Sequence, residues 1–262
     1  MKKILGLALA AVLMIGLVAC GGSTENGNGA EPRGTITMGT NAEFPPFEFI
    51  SGGQIVGIDV AISRAIADRL GKDLVIEDMP FGILIQALAN GEVDFVAAGM
   101  TATGTIGDER RETVDFSMFY YRAVQAIIVA DNNNNIQSAA DLQGRNVAAI
   151  AGYTGYAVSR DVLNIQNLTA YRNPAIAVVS LQQNNVEAIV IDYSTARAIV
   201  NSTAGLRVVL DEEVFGNEYY AIAVRRGNTE LLDVINEVLQ ELMDSGELDS
   251  IIAHYKEYAE EN

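Results

Sequence analysis

From Thr35 onward the chain alternates short apolar runs with amphipathic segments, and this alternation limits the possible folds more than any other feature of the sequence. Residues 35–40 and 73–79 are typical of strands. The segment between them has apolar residues at helical spacing and stops at Gly71; they are Val60, Ile62, Ile66 and Leu70. Strands separated by helices indicate βαβ units, so we expect an α/β fold with mainly parallel sheets flanked by helices.

Two stretches of the chain echo one another. Residues 84–100 and 178–192 both run from an amphipathic helix through a polar turn to a valine, an acid and an apolar strand. The similarity has two possible causes. One is convergence, because any joint between a helix and a buried strand needs a turn residue followed by apolar residues. The alternative is a chain with two similarly built lobes, one holding each stretch.

Two further stretches lie where a chain with two lobes would cross between them. Residues 119–130 and 218–227 each read as one long strand that begins near paired tyrosines. We therefore predict lobe 1 from residues 35–122 and 222–262, and lobe 2 from residues 123–221. Two crossing strands would form a hinge, and closure of the lobes around a ligand is the motion that this arrangement favours.

The N-terminus is typical of an export signal. Two lysines precede an apolar run at 4–18, which is short for a membrane span, and small residues then lead to Cys20. This pattern resembles a bacterial lipoprotein signal, so we expect a signal peptide at 1–19 and lipid attachment at Cys20. A simple secretory signal with an incidental cysteine is the alternative. Residues 20–34 carry Gly, Ser, Asn and Pro without an apolar period and are expected to form a flexible tether.

Composition excludes several kinds of function. The chain has 17 basic and 34 acidic residues, and without the two lysines of the leader the balance becomes 15 against 34, or −19. A surface this acidic argues against nucleic acid or anionic lipid as the ligand. With one cysteine, one histidine and no Gly-rich phosphate loop, we expect no metal, no cofactor and no nucleophilic triad. His254 is expected on a helix surface.

Polar loops follow three of the predicted strands. Residues 99–103 follow one, residues 151–156 follow another, and Asp192 ends the third. Ligands of open α/β sheets bind beyond the carboxyl ends of strands, so these loops are expected to meet. Together with the nearby arginines they offer a guanidinium, hydroxyls, amides and a carboxylate. This set matches a zwitterion, since a guanidinium pairs with a carboxylate and an acid pairs with an ammonium group.

Six stretches carry a resemblance to a known family. They are "GTNAEFPPFEF" (39–49), "GIDVAISRAIADRLG" (57–71), "LIQALANGEVDFVAAGMTAT" (84–103), "ERRETVDFS" (109–117), "VEAIVID" (186–192) and "YYAIAVRRGNTELL" (219–232). From Thr35 to the C-terminus the chain resembles an extracytoplasmic solute-binding protein of the polar amino-acid ABC transporter family. The resemblance implies a type II periplasmic-binding-protein fold and a monomer that is not an enzyme. It also implies delivery of a free L-amino acid to ABC permease subunits, from a lipid anchor at the periplasmic or outer cell surface.

The resemblance assigns the ammonium group of the ligand to three positions. The Gly99 carbonyl and the Thr101 hydroxyl would accept hydrogen bonds from it, and Asp192 would be its ionic partner. Asp192 also precedes a predicted helix, so a carboxylate that caps this helix and binds nothing is the alternative.

The carboxylate of the ligand is assigned to Arg110, helped by the amides of Thr103 and Thr154. Family members have this arginine three residues after the second threonine, whereas "GTIG" at 104–107 lengthens the spacing by four. Arg110 rather than Arg111 fits when residues are counted back from 115–117. A solvated surface cluster of these charges is the alternative.

Phe44 and Phe81 are assigned to the walls around the ligand side chain, although aromatic residues are more often plain core. Asn41 occupies a position where members that bind cationic side chains hold an acid. An amide has no charge preference, so a neutral polar ligand is favoured. Glu43 and Glu48 lie nearby and could restore a preference for cations.

Two other functions fit the same fold. The first is a cyclohexadienyl-dehydratase-like enzyme, which would need Glu43, Glu48 or an unpaired Asp192 as its general acid. The second is a ligand-sensing module, which would signal through a separate partner. Fold alone does not separate these functions.

Overall fold

The computed structural model describes residues 34–261. The predicted signal peptide, the predicted lipid attachment at Cys20 and all of the predicted tether before Gly34 lie outside the described residues. Among residues 34–261, no helix has both the length and the apolarity needed to span a bilayer.

Short strands and helices alternate along the described chain. The strands are β1 (Thr35–Thr40), β2 (Glu43–Phe44), β3 (Glu48–Ser51), β4 (Gln54–Val56), β5 (Asp73–Asp78), β6 (Phe95–Val96), β7 (Val114–Phe116), β8 (Tyr121–Ala123), β9 (Gln125–Ala130), β10 (Asn146–Ile150), β11 (Asn167–Tyr171), β12 (Ala188–Asp192), β13 (Leu206–Val209), β14 (Glu218–Tyr220) and β15 (Ala223–Arg225). The helices are α1 (Ile58–Arg69), α2 (Leu84–Asn90), α3 (Gly104–Arg111), α4 (Thr154–Ala157), α5 (Pro174–Gln182), α6 (Tyr193–Ser202), α7 (Glu212–Phe215), α8 (Thr229–Ser245) and α9 (Glu247–Glu261). The predicted strand–helix–strand order of the first segment, β1–α1–β5, is confirmed.

Two five-stranded sheets with the same pattern of directions form the framework. The first has the order β5-β1-β6-β15-β7, and the second has the order β11-β10-β12-β9-β13. In each sheet the first three strands are parallel, and the fourth is antiparallel to both of its neighbours. Each of the echoing stretches contributes a helix and a strand to one sheet, α2 and β6 to the first and α5 and β12 to the second.

The sheets are mixed rather than mainly parallel, and the crossing segments explain the difference. Each predicted long crossing strand is broken into two, β8 with β9 and β14 with β15. The first strands of these pairs form a separate two-stranded ribbon, with Glu218 opposite Ala123. The second strands then join a sheet where its parallel strands end. Gln125 pairs with Asp192 and Ala223 pairs with Val96, so β9 and β15 run antiparallel to their neighbours.

Apolar packing holds helices against the first sheet. Helix α1 begins at Ile58 and packs one face against the core. This face includes Ile62 and Ile66, which are fully buried. Helix α8 packs Ile235 and Leu239, both fully buried, into the same cluster of core residues. Burial of one such side chain stabilises the fold by about 1.5–3 kcal/mol. This packing fixes the carboxyl ends of β1 and β6, from which polar loops lead.

Candidate functional site

The loops after β6, β10 and β12 converge, as their place at the carboxyl ends of strands predicts. Nine residues line a cavity among them; they are Phe44, Phe81, Gly99, Gln125, Tyr153, Thr154, Gly155, Asp192 and Tyr220. The free volume of this cavity is about 20 Å³. That is room for about one water molecule and too little for an amino acid. The two sides are therefore closed on one another in this structure.

Hydrogen bonds join the two sides across the closed cavity. The hydroxyl oxygens of Thr101 and Thr154 lie 2.7 Å apart. The Tyr153 hydroxyl donates to Asn41 Oδ1 at 2.7 Å. Because these bonds link loops that belong to different sheets, a movement that opened the cavity would break them.

Arg110 lies at this junction, in the last turn of α3, and is only 7% exposed. Its Nη1 donates to the Thr101 carbonyl at 2.8 Å, and its Nη2 donates to the Gly152 carbonyl at 3.2 Å. Its guanidinium carbon lies 5.3 Å from the centre of the Phe81 ring, a cation–π distance. Burial lowers the pKa of Arg110 to about 10, so the group stays charged at neutral pH. Arg110 does not itself line the cavity; it lies immediately behind the lining.

The segment that holds Arg110 is a helix. Residues 99–103 were predicted as a loop, and helix α3 begins directly after them at Gly104. Four residues are about 1.1 helical turns, so an insertion of this length lengthens the helix and returns the arginine to nearly the same face. Arg111 is exposed and donates instead to the Ala102 carbonyl. The surface-cluster alternative is therefore wrong for Arg110.

Asp192 ends β12 and is 2% exposed. Its Oδ1 accepts hydrogen bonds from the amides of Ser194 and Thr195 at 2.8 and 3.2 Å, so it does cap α6. Its Oδ2 accepts from the Tyr220 hydroxyl at 2.9 Å and lines the cavity side. Burial raises the pKa of Asp192 to about 6, although these hydrogen bonds pull it downward. Asp192 therefore both caps α6 and lines the cavity.

The predicted aromatic walls are present, with two tyrosines that the sequence analysis did not select. Phe44 meets Tyr153 edge-on with ring centres 5.2 Å apart, and Phe81 meets Tyr153 at 4.9 Å. The Tyr220 ring lies 6.4 Å from that of Phe44. Phe44 belongs to the hydrophobic core and also lines the cavity. It therefore has both the structural position and the cavity position that the sequence analysis weighed against each other.

Four predicted residues lie outside the lining: Arg110, Thr101, Asn41 and Thr103. Asn41 is 6% exposed and is separated from the cavity by Tyr153. The Asn41 side-chain oxygen accepts a hydrogen bond from the Tyr153 hydroxyl. Thr103 lines a neighbouring pocket, and its Oγ1 accepts from the Tyr219 amide at 3.1 Å. The structure therefore places five of the nine predicted residues in the lining, Phe44, Phe81, Gly99, Thr154 and Asp192, and the other four outside it.

A buried pair of carboxyl groups supports Gly99 from behind. Asp59 Oδ2 accepts from the Gly99 amide at 2.7 Å, and the Tyr120 hydroxyl donates to both Asp59 oxygens. Glu48 is fully buried beside Asp59, and neither of its oxygens meets a hydrogen-bond donor. Burial, and next the nearby Asp59 carboxylate, raise the pKa of Glu48 well above its usual range. A protonated Glu48 would donate to Asp59, which satisfies both groups.

Two polar residues beside the cavity were not predicted from the sequence. Gln125 begins β9, and Glu218 begins β14. Glu218 Oε2 accepts from Thr101 Oγ1 at 3.0 Å and from Gln125 Nε2 at 3.3 Å. Both residues lie in the predicted crossing segments, 119–130 and 218–227, but only the pairing of β8 with β14 brings the two segments together here. Within residues 34–260, no group of three or more His, Cys, Asp or Glu side chains is arranged to hold a metal ion.

Comparisons with known proteins agree with this architecture. The family of bacterial extracellular solute-binding proteins, family 3, matches residues 36–258. An arginine-binding extracellular protein of Bacillus subtilis is 32% identical over 96% of both chains. A probable histidine-binding protein of Campylobacter jejuni is 30% identical over 98% of this chain and 99% of its own.

Solved structures agree as well. The substrate-binding protein of an amino acid ABC transporter is 38% identical, with a TM-score of 0.78 over 85% of this chain and 99% of its own. An ancestral arginine-binding protein bound to glutamine is 38% identical, with a TM-score of 0.79 over 85% of this chain and 98% of its own. These structures share the two-lobed periplasmic-binding-protein type II fold that the sequence predicted.

Proposed function

Because the chain belongs to the bacterial extracellular solute-binding proteins of family 3, we propose that it binds a free L-amino acid in the cavity between its two sheets and delivers it to the permease of an ABC importer. The observation that carries this proposal is the burial of Asp192 in the lining of one aromatic-walled cavity and of Arg110 directly behind that lining, where it donates to the Thr101 and Gly152 carbonyls. A guanidinium and a carboxylate on opposite sides match the two charges of an α-amino acid. Relatives named for arginine, histidine, cystine and glutamine support this class of ligand.

Binding requires the closed cavity to open. We propose that residues 35–122 with 222–262, and residues 123–221, move as two lobes about the β8–β14 ribbon. Opening would release Arg110 from the Gly152 carbonyl and Thr154 from Thr101. The carboxylate of the ligand would then take the freed guanidinium donor, and its ammonium group would meet the Thr101 oxygen and Asp192. Charged partners form stronger hydrogen bonds than the neutral groups that they replace, so the ligand favours closure.

The remaining parts of the proposal concern location and partners. The family acts outside the cytoplasm, and we propose attachment to the membrane through lipid on Cys20 and action as a monomer. Metabolic labelling with a radioactive fatty acid tests the anchor, because Cys20→Ser should abolish the label while leaving amino-acid binding intact. Gel filtration with light scattering measures the molar mass in solution and so tests whether the protein is a monomer.

A screen tests the proposed function itself. Thermal unfolding would be followed with each of the twenty amino acids at millimolar concentration, because a ligand that binds only the folded state raises its apparent stability. At least one amino acid is expected to raise the melting temperature by several degrees. If no amino acid does so while a cyclic dienyl acid such as prephenate is turned over, the enzyme alternative replaces this proposal.

A further inference from the structure

The cavity, together with the side chains directly behind its lining, holds one more buried acid than an uncharged amino acid can balance. Glu218 is 7% exposed and Asp192 is 2% exposed, while Arg110 is the one buried cation among the described residues of the site. The guanidinium of Arg110 donates to two carbonyl oxygens, and none of the ion pairs within residues 34–260 includes Asp192 or Glu218. The buried groups therefore sum to −1 when all three are ionised.

The charges around Glu218 do not remove this excess. Asp192 lies close enough to disfavour ionisation of Glu218, and Arg110 favours it. Lys256 acts on Asp192, but its side chain is exposed, so solvent screens its charge. A buried carboxylate without a cation is costly, and a cation brought by a ligand would relieve that cost.

Gln125 offers a second, independent sign that a donor group is missing here. Its amide nitrogen faces Glu218 at 3.3 Å, the orientation that an ionised Glu218 requires because an ionised carboxylate can only accept. The opposite atom, Oε1, is buried and has no hydrogen-bond partner. Gln125 is 2% exposed and lines the cavity. Gln125 thus brings an unpaired carbonyl oxygen to the cavity, and the Glu218 carboxylate lies directly behind it; both groups accept hydrogen bonds.

We infer that Glu218 and Gln125 make this site selective for amino acids that carry a net positive charge. The inference rests on the proposed function and names its ligand class. It replaces the neutral ligand favoured from Asn41, whose side-chain oxygen is already bonded to Tyr153. An amino acid with a cationic side chain balances the three buried charges, whereas a neutral one leaves the excess negative charge in a site of low dielectric constant.

Protonation of Glu218 couples to this selectivity. Burial raises the pKa of Glu218 to about 7, so part of the protein holds a neutral Glu218 at neutral pH. A cationic ligand favours the ionised form and so releases protons on binding. The selectivity for cations should accordingly weaken below about pH 6, where Glu218 is protonated before the ligand arrives.

Arginine and citrulline test the inference directly, because they have nearly the same shape and differ in the charge at the end of the side chain. Isothermal titration calorimetry at pH 8 is expected to show at least tenfold tighter binding of arginine by the parent protein. Glu218→Gln keeps the size of the side chain and should bring the two affinities within about threefold of each other. Glu218→Asp should keep most of the preference. Glu213→Gln, which removes an exposed acid just before β14, should leave it unchanged.

The outcomes separate this inference from the proposed function. If the parent protein binds citrulline as tightly as arginine, the inference is wrong although amino-acid binding stands. The same conclusion follows if a folded Glu218→Gln variant, checked by its melting temperature, keeps the full arginine preference. If neither compound nor any other amino acid binds, the proposed function itself fails.

Discussion

The hydroxyl oxygens of Thr101 and Thr154 lie 2.7 Å apart, and the Thr101 oxygen lies a further 3.0 Å from Glu218 Oε2. An ionised Glu218 only accepts, so the single hydroxyl hydrogen of Thr101 points to it and Thr154 donates to Thr101. The Thr101 oxygen therefore presents lone pairs to the cavity. An ammonium group needs such an acceptor, and it would displace the Thr154 hydroxyl from this position.

Arg110→Ala should lower amino-acid affinity at least tenfold. The change removes the only buried cation of the site within the described residues, and no other donor fork replaces it for a carboxylate. Calorimetric titration measures the effect, and Arg111→Ala is the matched control because its neighbouring guanidinium is exposed. Equal losses in both variants would contradict the assignment of the carboxylate to Arg110.

Asp192→Asn and Asp192→Ala should differ in stability but not in binding. Asparagine keeps an oxygen that can cap α6 and accept from Tyr220, whereas alanine leaves these donors unpaired and costs about 1–2 kcal/mol. Both remove the charge that faces the ligand ammonium group, so both should weaken binding at least tenfold. Urea unfolding and calorimetry separate the two effects. An asparagine variant with parental affinity would show that Asp192 only caps the helix.

Gly99→Ala should destabilise the protein and weaken binding together. Gly99 has φ of +50°, and an added Cβ would lie 2.5 Å from the Phe44 ring, which cannot retreat because it is buried. Gly205→Ala is the control: φ is +81° there, but no atom lies within 4 Å of the added Cβ. Both variants bear backbone strain of about 1 kcal/mol, and only Gly99→Ala adds the clash. Equal melting temperatures would show that the loop moves freely.

Glu48→Gln should make the protein more stable at pH 8 and leave it nearly unchanged at pH 4.5. Burial raises the pKa of Asp59 to about 6, and the pKa of Glu48 lies well above its usual range. The folded state therefore binds more protons than the unfolded state between about pH 4 and these pKa values, and the free energy of unfolding falls as pH rises through that window.

Glutamine at position 48 donates to Asp59 at every pH, so the variant should lose less stability on the alkaline side. Urea unfolding at both pH values measures this, with the exposed Glu43→Gln as control. A parallel pH dependence in the parent and Glu48→Gln would show that Glu48 does not share a proton with Asp59.

Local sequence patterns were enough to predict the α/β fold, helix α1 and the loops that meet at the cavity. Helix α1 follows from the spacing of Ile62 and Ile66, and the loops at the ends of β6, β10 and β12 follow from the rule for parallel strands. Helix α3 was not predicted, because "GTIG" combines glycines and a β-branched threonine, which disfavour helices in isolation. Tertiary packing of Arg110 and Gly107, both buried, overrides that preference.

The groups that sequence reasoning missed depend on contacts between distant parts of the chain. Glu218 and Gln125 meet because β8 pairs with β14, and they are separated by 93 residues. Asp59 reaches Gly99 over a separation of 40 residues, and its place in an amphipathic helix gives no hint of this bond. A single sequence contains no signal for such pairings. A charged residue within an otherwise apolar stretch is the one local sign that a position has a buried polar partner.

Calorimetric titration of the protein with arginine tests the central claim most directly. The account predicts one site per chain with a dissociation constant of about 1 μM or lower, which corresponds to about −8 kcal/mol, and loss of this site in Arg110→Ala. Absence of binding heat for arginine and for every other amino acid, by a protein that unfolds cooperatively, would contradict it.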